Sequence, residues 1–348
     1  LTGRSNPINV TEQAPKYQVF WGDMHGHTQN SDGLGETAEE YYEYARDAAD
    51  LDVCALTDHG TGHLELCREA VKAFHDPGRF VTFLGWEWDA RPAGHGDKCF
   101  YVLNPDDPPF AGWPRTAPDM FKAVEAVYGD NEDRRIITGP HMFTYPDALG
   151  WPGVWDARYE RFAEIYSGHG MSEFYGNPRP LWGAKPGAFT QDALAKGLRF
   201  GIIGSSDNHD SHPGRHCWGR YRGGLVAFLA KELTRESIWD AFWNRRVYAA
   251  TTDRIYIDFQ IDGHVMGEEF ETATKPEIQY TVHGCDDELD VVLIKDNAEL
   301  RRTTSTTGSV TESLTDETFD ASSYYYVRAE QANGERARSS PIWVDRTK

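Results

Sequence analysis

The sequence predicts an α/β protein in which a parallel α/β barrel is followed by a smaller, antiparallel β-rich domain. From about residue 18 to residue 250, short apolar runs alternate with helical stretches, a pattern typical of a parallel sheet, open or closed into a barrel. About seven such units are present, and this number favours a barrel. Beyond Thr252 the helical period is absent and the segments are β-rich. The length of 348 residues accommodates two domains.

The first part of the chain contains seven apolar runs that we predict to be buried strands. They lie at residues 17–21, 53–56, 80–86, 136–137, 162–165, 200–203 and 225–229. Helices are predicted between them at residues 37–50, 63–75, 117–128, 190–198 and 234–245. Thr37 and Glu40 have the spacing of a capping box, in which each side chain bonds to the backbone N–H of the other residue.

The remainder of the chain consists of short segments with strand character, separated by turn-like DG, HG, DN and NG steps. The segments IYIDFQIDG, EIQYTVHG, LDVVLIKD, YYYVRAEQ and SPIWVD predict a small antiparallel sheet or a sandwich. We therefore divide the chain into an N-terminal extension (1–17), a barrel (18–252) and a β-rich accessory domain (253–348).

The composition indicates a folded, acidic protein. Hydrophobic residues make up 39% of the chain and aromatic residues 13%, enough for a core that a disordered chain would lack. The net charge of −20 disfavours general binding to nucleic acid or to anionic membranes. No run reaches the roughly 20 apolar residues that span a bilayer. We expect a soluble protein, either cytoplasmic or exported.

Several common classes of site are not supported by the sequence. The five cysteines are scattered without a CxxC pair, which argues against a disulfide framework or a thiolate zinc site and favours small buried side chains. The phosphate-binding patterns GxxxxGKS/T and GxGxxG are absent, and so is the GxSxG turn of serine hydrolases. The sequence therefore predicts neither a nucleotide cofactor nor a serine nucleophile.

Residues with metal-binding side chains follow the predicted strands. His25 and His27 have the i, i+2 spacing that places two side chains on one face of an extended segment, and Asp207 and His209 repeat it. Because the carboxyl ends of parallel barrel strands open on one face, where active sites lie, we expect these side chains to converge. The strand-end candidates are His25, His27, Asp32, Asp58, His59, Glu87, His141, His169, Asp207 and His209.

This donor set predicts a metal centre. Imidazoles combined with carboxylates, without thiolates, suit Zn, Mn or Fe. The candidates outnumber the ligands of a single ion, so we expect two or three divalent ions per chain, with a carboxylate such as Glu87 bridging two of them. Such a cluster lowers the pKa of bound water and binds substrate oxygens, which indicates hydrolysis by a metal-bound hydroxide.

The order of the motifs HxH, SDG, TDHG, GxE, H and DxH resembles the PHP (polymerase and histidinol phosphatase) superfamily of metal-dependent phosphoesterases, over residues 20 to 250. The resemblance implies a distorted seven-stranded (β/α) barrel with up to three metal ions at the carboxyl ends of the strands. The ligands that it implies are His25, His27, Glu87 and Asp207 for the first ion, Asp32, His59 and His209 for another, and Glu87 with His141 for the remaining ion.

Further motifs are similar to one branch of this superfamily, the CehA/McbA-like metallohydrolases. They are FWGDMHGHT, GWEW, EIYSGHG and RRVYAATT, together with the tail YYYVRA…SSPIWV, so that this resemblance covers nearly the whole chain. It implies that some members cleave carbamate or carboxylic esters rather than phosphoesters.

One segment departs from the superfamily pattern. The superfamily supplies a histidine between the glutamate strand and the later histidine, just before a short apolar run, whereas this chain has AGHGDKCFYVLN. His95 is the nearest candidate, as a ligand, a substrate contact or a loop residue. His169 is either an extra ligand or a group that orients a ligand or contacts substrate. Asp58 is expected to orient His59 or its strand rather than to bind metal.

The combined interpretation is a metal-dependent hydrolase, most simply a phosphoesterase, acting on a small-molecule or oligosaccharide substrate. Two alternatives use the same site: a carboxylic ester or carbamate hydrolase, and a hydrolase or lyase acting on acidic polysaccharide. The third is a metal- or ligand-binding module without activity. The polysaccharide alternative comes from the β-domain and from aromatic groups that could form a sugar-binding wall, which are Trp151, Trp155, Tyr175 and Trp182.

Four residues are predicted to take part in the reaction itself. Asp207 is both a ligand and a catalytic candidate. His169 or His212 could protonate the leaving group, and Arg215 or His212 could contact an anionic substrate. A solvated loop that pairs with surface acids is the competing interpretation for His212 and Arg215. The oligomeric state stays open.

Overall fold

The structure is a computed structural model that describes residues 6–7, 15–89, 96–145, 155–215 and 220–347. The first part of the chain contains both helices and strands. Its elements, in chain order, are β1 (Gln18–Asp23), α1 (Ala38–Asp47), β2 (Val53–Leu56), α2 (Leu64–Phe74), β3 (Val81–Trp88), β4 (Asp97–Val102), α3 (Ala117–Tyr128), β5 (Ile136–His141), β6 (Phe162–Ser167), β7 (Gly170–Met171), α4 (Thr190–Ala195), β8 (Gly201–Gly204), β9 (Leu225–Ala230), α5 (Arg235–Trp243) and β10 (Val247–Ala250).

The second part consists of strands within the described residues. They are β11 (Tyr256–Ile261), β12 (His264–Val265), β13 (Glu269–Thr272), β14 (Glu277–His283), β15 (Leu289–Lys295), β16 (Ala298–Ser305), β17 (Ser309–Thr315), β18 (Ser323–Gln331), β19 (Arg336–Ser339) and β20 (Ile342–Arg346). We call β1–β10 with their helices the first domain, and β11–β20 the second domain.

All five predicted helices are present, with ends that differ by a few residues from the predicted ones. The capping box of α1 is confirmed: the Thr37 side chain accepts a hydrogen bond from the Glu40 backbone N–H, and the Glu40 carboxylate accepts one from the backbone N–H of Thr37 at 2.9 Å. The apolar faces of α1, α2 and α3 pack together against one side of the strands, with Tyr42, Trp86 and Phe100 in their common core.

The regular alternation of strand and helix that a (β/α)7 barrel requires is not confirmed. Strands β1, β2 and β3 are parallel, but β4 is antiparallel to both β3 and β5, and β9 is antiparallel to both β1 and β10. The structure is therefore a mixed, sheet-rich fold with few helices. Neither β4 nor β10 was predicted. In β4 the charges of Asp97 and Lys98 obscure the apolar run, and buried Lys98 is compensated by a salt bridge to buried Glu160 at 2.5 Å.

The strands of the first domain surround a common apolar interior. Met24, Phe83, Tyr101 and Phe228 fill it, and α5 contributes Phe242 to the same core. Strand β8 pairs in parallel with β6, and its Gly204 lies against β9 and β10. A Cβ atom at that glycine would lie 2.9 Å from two carbonyl oxygens, so only glycine permits this close approach.

The second domain is a sandwich of two sheets. One sheet has the order β12-β11-β14-β17 and is antiparallel throughout. The other contains β13, β15, β16, β18, β19 and β20 and is antiparallel except for the parallel pair β13–β20. Burial alternates along β14, where Ile278, Tyr280 and Val282 point into the sandwich.

The two domains share backbone pairing and apolar cores. Strand β19 pairs antiparallel with β10, so that one sheet runs from the first domain into the second. Ile165 and Ile202 of the first domain pack with Ile294, Tyr326 and Trp343 of the second. The second domain therefore covers the outer side of β6 and β8, while helices α1 to α3 cover β2 to β4.

Two further observations concern expectations from the sequence. Cys54, Cys67 and Cys99 are buried and unbridged, Cys285 is half-buried and unbridged, and Cys217 lies outside the described residues. In the part of the chain that the structure covers, no helix has the length and apolar character needed to cross a membrane.

Candidate metal centre

Six segments that follow or end strands of the first domain meet at one end of it. His25 and His27 follow β1, His59 follows β2, and His141 ends β5. Backbone hydrogen bonds fix the two paired motifs to each other, because Asp207 N–H donates to the His25 carbonyl at 2.9 Å and His27 N–H donates to the Asn208 carbonyl at 2.8 Å. The residues brought together are His25, His27, Asp32, His59, Glu87, His141, His169, Asp207 and His209.

The inner group consists of His25, His27, Glu87 and Asp207, all buried. The Nε2 atoms of both histidines lie 3.3 Å from Glu87 Oε2, and 3.6 and 3.5 Å, respectively, from Asp207 Oδ1. The same two nitrogen atoms are 3.2 Å apart. Asp207 has a φ of 51°, a left-handed conformation that is uncommon outside glycine and is often found at functional sites.

The outer group consists of His27, Asp32, His59 and His209. Asp32 Oδ2 lies 3.5 Å from His59 Nε2 and 3.4 Å from His209 Nε2, and Asp32 Oδ1 lies 3.6 Å from His27 Nδ1. The Asp32 side chain is 55% exposed. This group therefore opens towards solvent, whereas the inner group does not.

A third group consists of Glu87, Asp97 and His141, and it contains a residue that the sequence reasoning missed. The Glu87 carboxylate is in hydrogen-bond contact with His141 Nε2, and Asp97 Oδ2 lies 3.9 Å from the same nitrogen. Asp97 begins β4, directly before the apolar run where the superfamily pattern places a histidine. The place of Asp97 in the superfamily pattern could therefore have identified it as a ligand candidate. His95, the candidate proposed from the sequence, lies outside the described residues.

Glu164 is a second residue that the sequence reasoning missed. It is buried in the middle of β6, and its Oε2 lies 3.0 Å from His25 Nδ1, the ring nitrogen that faces away from the inner group. Its Oε1 lies 3.9 Å from His141 Nδ1. A carboxylate bonded to the far nitrogen of a ligand histidine fixes the orientation and the tautomer of its ring. The signal in the sequence was an isolated acid in an otherwise apolar strand, which requires a partner.

His169 and Asp58 are adjacent to the centre. His169 Nε2 lies 3.1 Å from Asp207 Oδ2, and its side chain is 35% exposed. Asp58 accepts hydrogen bonds from the Thr28 backbone N–H at 2.7 Å and from the Thr28 and Ser31 hydroxyl groups at 2.6 Å. Asp58 thus fixes the loop that leads from the two histidines of β1 to Asp32.

His212 and Arg215 are not among the residues of the three groups. The His212 ring packs edge-on against Tyr44 of α1, with 4.5 Å between the centroids. Arg215 is exposed and lines a separate cavity of about 330 Å³, together with Tyr44, Pro213 and Arg254. No described residue lining that cavity belongs to the metal-ligand groups. The catalytic roles proposed for His212 and Arg215 therefore have no support from their position.

The electrostatics of the groups follow from the burial of many opposite charges. Burial lowers the pKa of His27, but hydrogen bonds to Asp207 and Glu87 outweigh it and raise that pKa to about 9. Burial raises the pKa of Glu87 and of Asp207, but the neighbouring histidines hold both pKa values well below the usual range. The carboxylates are therefore ionised at neutral pH, and the site favours cations, whether protons or metal ions.

The donor atoms fit divalent metal ions. Imidazole nitrogen and carboxylate oxygen are ligands that suit Zn, Mn or Fe. Several buried donor atoms have no hydrogen-bond partner among the described residues, a costly state for polar atoms unless another ligand satisfies them. These atoms are His59 Nδ1, His141 Nδ1 and Glu164 Oε1.

Comparison with known proteins identifies relatives that match nearly the whole chain, but their names assign no activity. Residues 213–282 match a family described as a protein of unknown function, DUF3604. Uncharacterized proteins of Chlamydia muridarum and Chlamydia trachomatis serovar D are each 28% identical to this chain over 98% of its length. The chain spans 59% of the length of these relatives.

A solved structure matches the whole chain. It is a two-domain protein from Bacteroides vulgatus that contains a predicted PHP-like metal-dependent phosphoesterase. It is 16% identical to this chain, with a TM-score of 0.51 and coverage of 99% of both chains. This chain shares its two-domain fold. At that level of identity the likeness concerns the fold alone.

Proposed function

We propose that this protein is a metal-dependent hydrolase of the PHP superfamily, in its CehA/McbA-like branch, and that phosphoesters are its preferred substrates. The observation that carries the proposal is the overlap of three donor groups: His27 belongs to both the outer and the inner group, and Glu87 belongs to both the inner and the third group. The motif order of the sequence and the phosphoesterase predicted for the structural neighbour support it.

Two or three divalent ions, Zn, Mn or Fe, would be held by these groups. The inner group would bind one ion, the outer group a second, and the third group a third, with Glu87 shared. When bound, such ions lower the pKa of water and neutralise charge that develops on substrate oxygens. The buried inner group would then anchor the ions, and the more exposed outer group would face the substrate.

The protein side chains around the donors orient them and exclude water. Glu164 accepts a hydrogen bond at His25 Nδ1, which leaves His25 Nε2 directed at Glu87 and Asp207. His169 lies at the exposed side, and Asp207 raises its pKa. A protonated His169 Nε2 can donate its proton to a leaving group at that side, which is the role of a general acid.

A second candidate is the hydrolysis of carboxylic esters or carbamates. The three donor groups consist of imidazoles and carboxylates, so on the side of these donors the negative charge of a phosphoester would be met by metal ions and by histidines. Buried Lys98 is already paired with Glu160. A neutral ester makes no such demand, and the same centre could cleave it.

Exposed aromatic side chains support the proposal that the substrate contains a sugar. Tyr175 and Trp182 are 61% and 73% exposed and lie in the segment after β7. Aromatic surfaces of this kind stack on sugar rings, which favours an oligosaccharide or glycoside as the substrate. The Tyr175 ring also packs edge-on against Phe189, with 5.8 Å between the centroids. Trp155 packs against Phe200, with 5.4 Å between the centroids, and Trp151 lies outside the described residues.

The test combines metal content with a comparison of substrates. Protein purified without chelator is expected to contain two to three equivalents of Zn, Mn or Fe per chain, and to hydrolyse p-nitrophenyl phosphate or its diester faster than p-nitrophenyl acetate. His25→Ala should lose both metal and turnover, whereas His264→Ala, which removes a partly exposed histidine of the second domain, should lose neither. Less than one equivalent of metal after incubation with each ion would refute the proposal, and a faster reaction with the acetate would select the second candidate.

A further inference from the structure

We propose that the second domain completes the metal centre by fixing the hairpin that carries His169, with Glu173 as the positioning residue that transmits this constraint. The inference concerns a role of the second domain, and its kinetic test rests on the proposed hydrolase function. The hairpin consists of β6, the connecting Gly168 and His169, and β7.

The turn of the hairpin is held by the first domain. Gly168 N–H donates a hydrogen bond to the Ser206 carbonyl at 2.9 Å, directly beside Asp207, and the Gly168 carbonyl accepts one from Tyr221 N–H at 3.2 Å. His169 N–H donates to Ser167 Oγ at 3.2 Å. These bonds fix the position of the turn relative to Asp207, but none of them holds the second strand of the hairpin, β7.

The chain after β7 is held by the second domain through a buried carboxylate. Glu173 is fully buried, and its Oε1 accepts hydrogen bonds from Tyr326 Oη at 3.0 Å and from Arg328 Nε at 2.9 Å, both on β18. Its Oε2 is bonded to the Nε of Arg338, on β19, which is also fully buried. Three groups of the second domain thus converge on one side chain, four residues beyond His169.

Two further residues, Gln191 and Arg179, link the segment around β7 to the second domain. Gln191 N–H donates to the Glu173 carbonyl at 3.0 Å, and Gln191 Nε2 donates to Tyr326 Oη at 2.7 Å. On the other side, Met171 N–H donates to the Arg179 carbonyl at 2.6 Å, and Arg179 Nη2 donates to the Gly334 carbonyl at 2.7 Å. The second strand of the hairpin is therefore enclosed by residues that the second domain holds.

Attachment of the domains does not require this buried cluster. The shared sheet and the apolar core around Ile294 and Trp343 already join them. Buried ion pairs contribute little net stability relative to apolar side chains, and their best-attested use is to select one arrangement over others. An arrangement fixed so close to His169 is useful because small displacements of a reacting group are costly for turnover.

The kinetic test uses Arg328→Gln and Tyr326→Phe, which leave Arg338 paired with Glu173 and so avoid an isolated buried charge. In the metal-loaded enzyme each variant should lower kcat for p-nitrophenyl phosphate, roughly 10- to 100-fold for Arg328→Gln, with metal content unchanged. The effect should vanish in a His169→Ala background, because both changes act through the same group. Arg199→Gln is the matched control: it removes an ion pair to Asp345 that also joins the domains, at 2.9 Å, and should leave kcat unchanged.

Amide hydrogen exchange gives a readout that is independent of activity. Exchange at Gly168 and His169 should be faster in Arg328→Gln than in the parent chain and in Arg199→Gln. Unchanged exchange at the hairpin, or a loss of kcat that adds fully to that of His169→Ala, would overturn the inference. If the parent chain hydrolyses none of the esters while exchange responds as expected, the proposed function fails and the positioning role stands.

Discussion

The two sides of the candidate metal centre are built in different ways. Residues of the inner group lie on or directly after core strands, and His25, Glu87 and Asp207 are at most 1% exposed. In the outer group Asp32 lies on a loop and is 55% exposed, and His59 is 22% exposed. The core strands therefore fix the inner donors before any ligand binds, whereas Asp32 of the outer group is positioned by an exposed loop. The inner group is suited to permanent binding, and the outer group to exchange with water and substrate.

The largest effect is expected from the inner side. Asp207→Ala removes the carboxylate that faces His25, His27 and His169, and it should abolish turnover and reduce the number of bound ions. The fold should persist, since Asp207 lies beyond the end of β8. Metal analysis and circular dichroism of the purified variant check both points. Turnover equal to that of the parent chain would exclude the inner group as the reacting site.

A smaller loss is expected from the outer side. Asp32→Ala should remove one bound ion while the inner group keeps its own, because Asp32 is not one of the inner donors. Isothermal titration of the metal-free variant should then show one site fewer than the parent chain. If all sites are lost together, the two groups do not act independently and the contrast between them is wrong.

Acidification should weaken metal binding, and the direction follows from the raised pKa of His27. With that pKa at about 9 in the metal-free chain, His27 carries a proton at neutral pH that a metal ion must displace. The apparent affinity should therefore fall by about tenfold per pH unit for each proton displaced, as the pH decreases below 9. Competition with a chromophoric chelator between pH 8 and pH 6 measures this slope. A flat profile would mean that His27 is not a ligand.

The smallest effect is expected from Glu164, which contacts a donor without belonging to the exposed side. Glu164→Gln keeps an acceptor for His25 Nδ1 but removes the charge, and it should weaken metal affinity or activity roughly 10- to 100-fold. Glu125→Gln, on the exposed face of α3, is the matched control and should have no such effect. If both variants keep the metal affinity and activity of the parent chain, the charge of Glu164 has no role in the metal centre and the residue is structural only.

The sequence predicted well what depends on local pattern. Apolar periodicity located the helices, and the positions of His25, His59 and Asp207 after strands were enough to predict their convergence. The direction of β4 could not be read in the same way, because a run of apolar residues carries no information on whether its neighbour is parallel. The distorted (β/α)7 barrel that the sequence predicted is therefore not confirmed, and the strands form a mixed fold.

The acidic residues of β4 and β6 were harder to predict than the donors that follow strands. Glu164 and Asp97 lie within strands, where an acid ordinarily argues against burial, and their sequence signals do not identify the histidines that they contact in the folded chain. The contact of Glu173 with Arg328 and Arg338 spans more than 150 residues of sequence and leaves no local pattern. Such long-range pairings become visible only when the chain is folded.

The pairing of β10 with β19 has a consequence for how this chain can be divided. If the chain were cut after β10, that strand would present a row of unsatisfied backbone donors and acceptors at an open border. Such a border recruits strands from other molecules, so the shortened protein would be prone to aggregate even with every metal ligand in place. We therefore expect the two halves to be inseparable in practice, and grafting the half that carries the donor groups onto another scaffold would require a substitute strand.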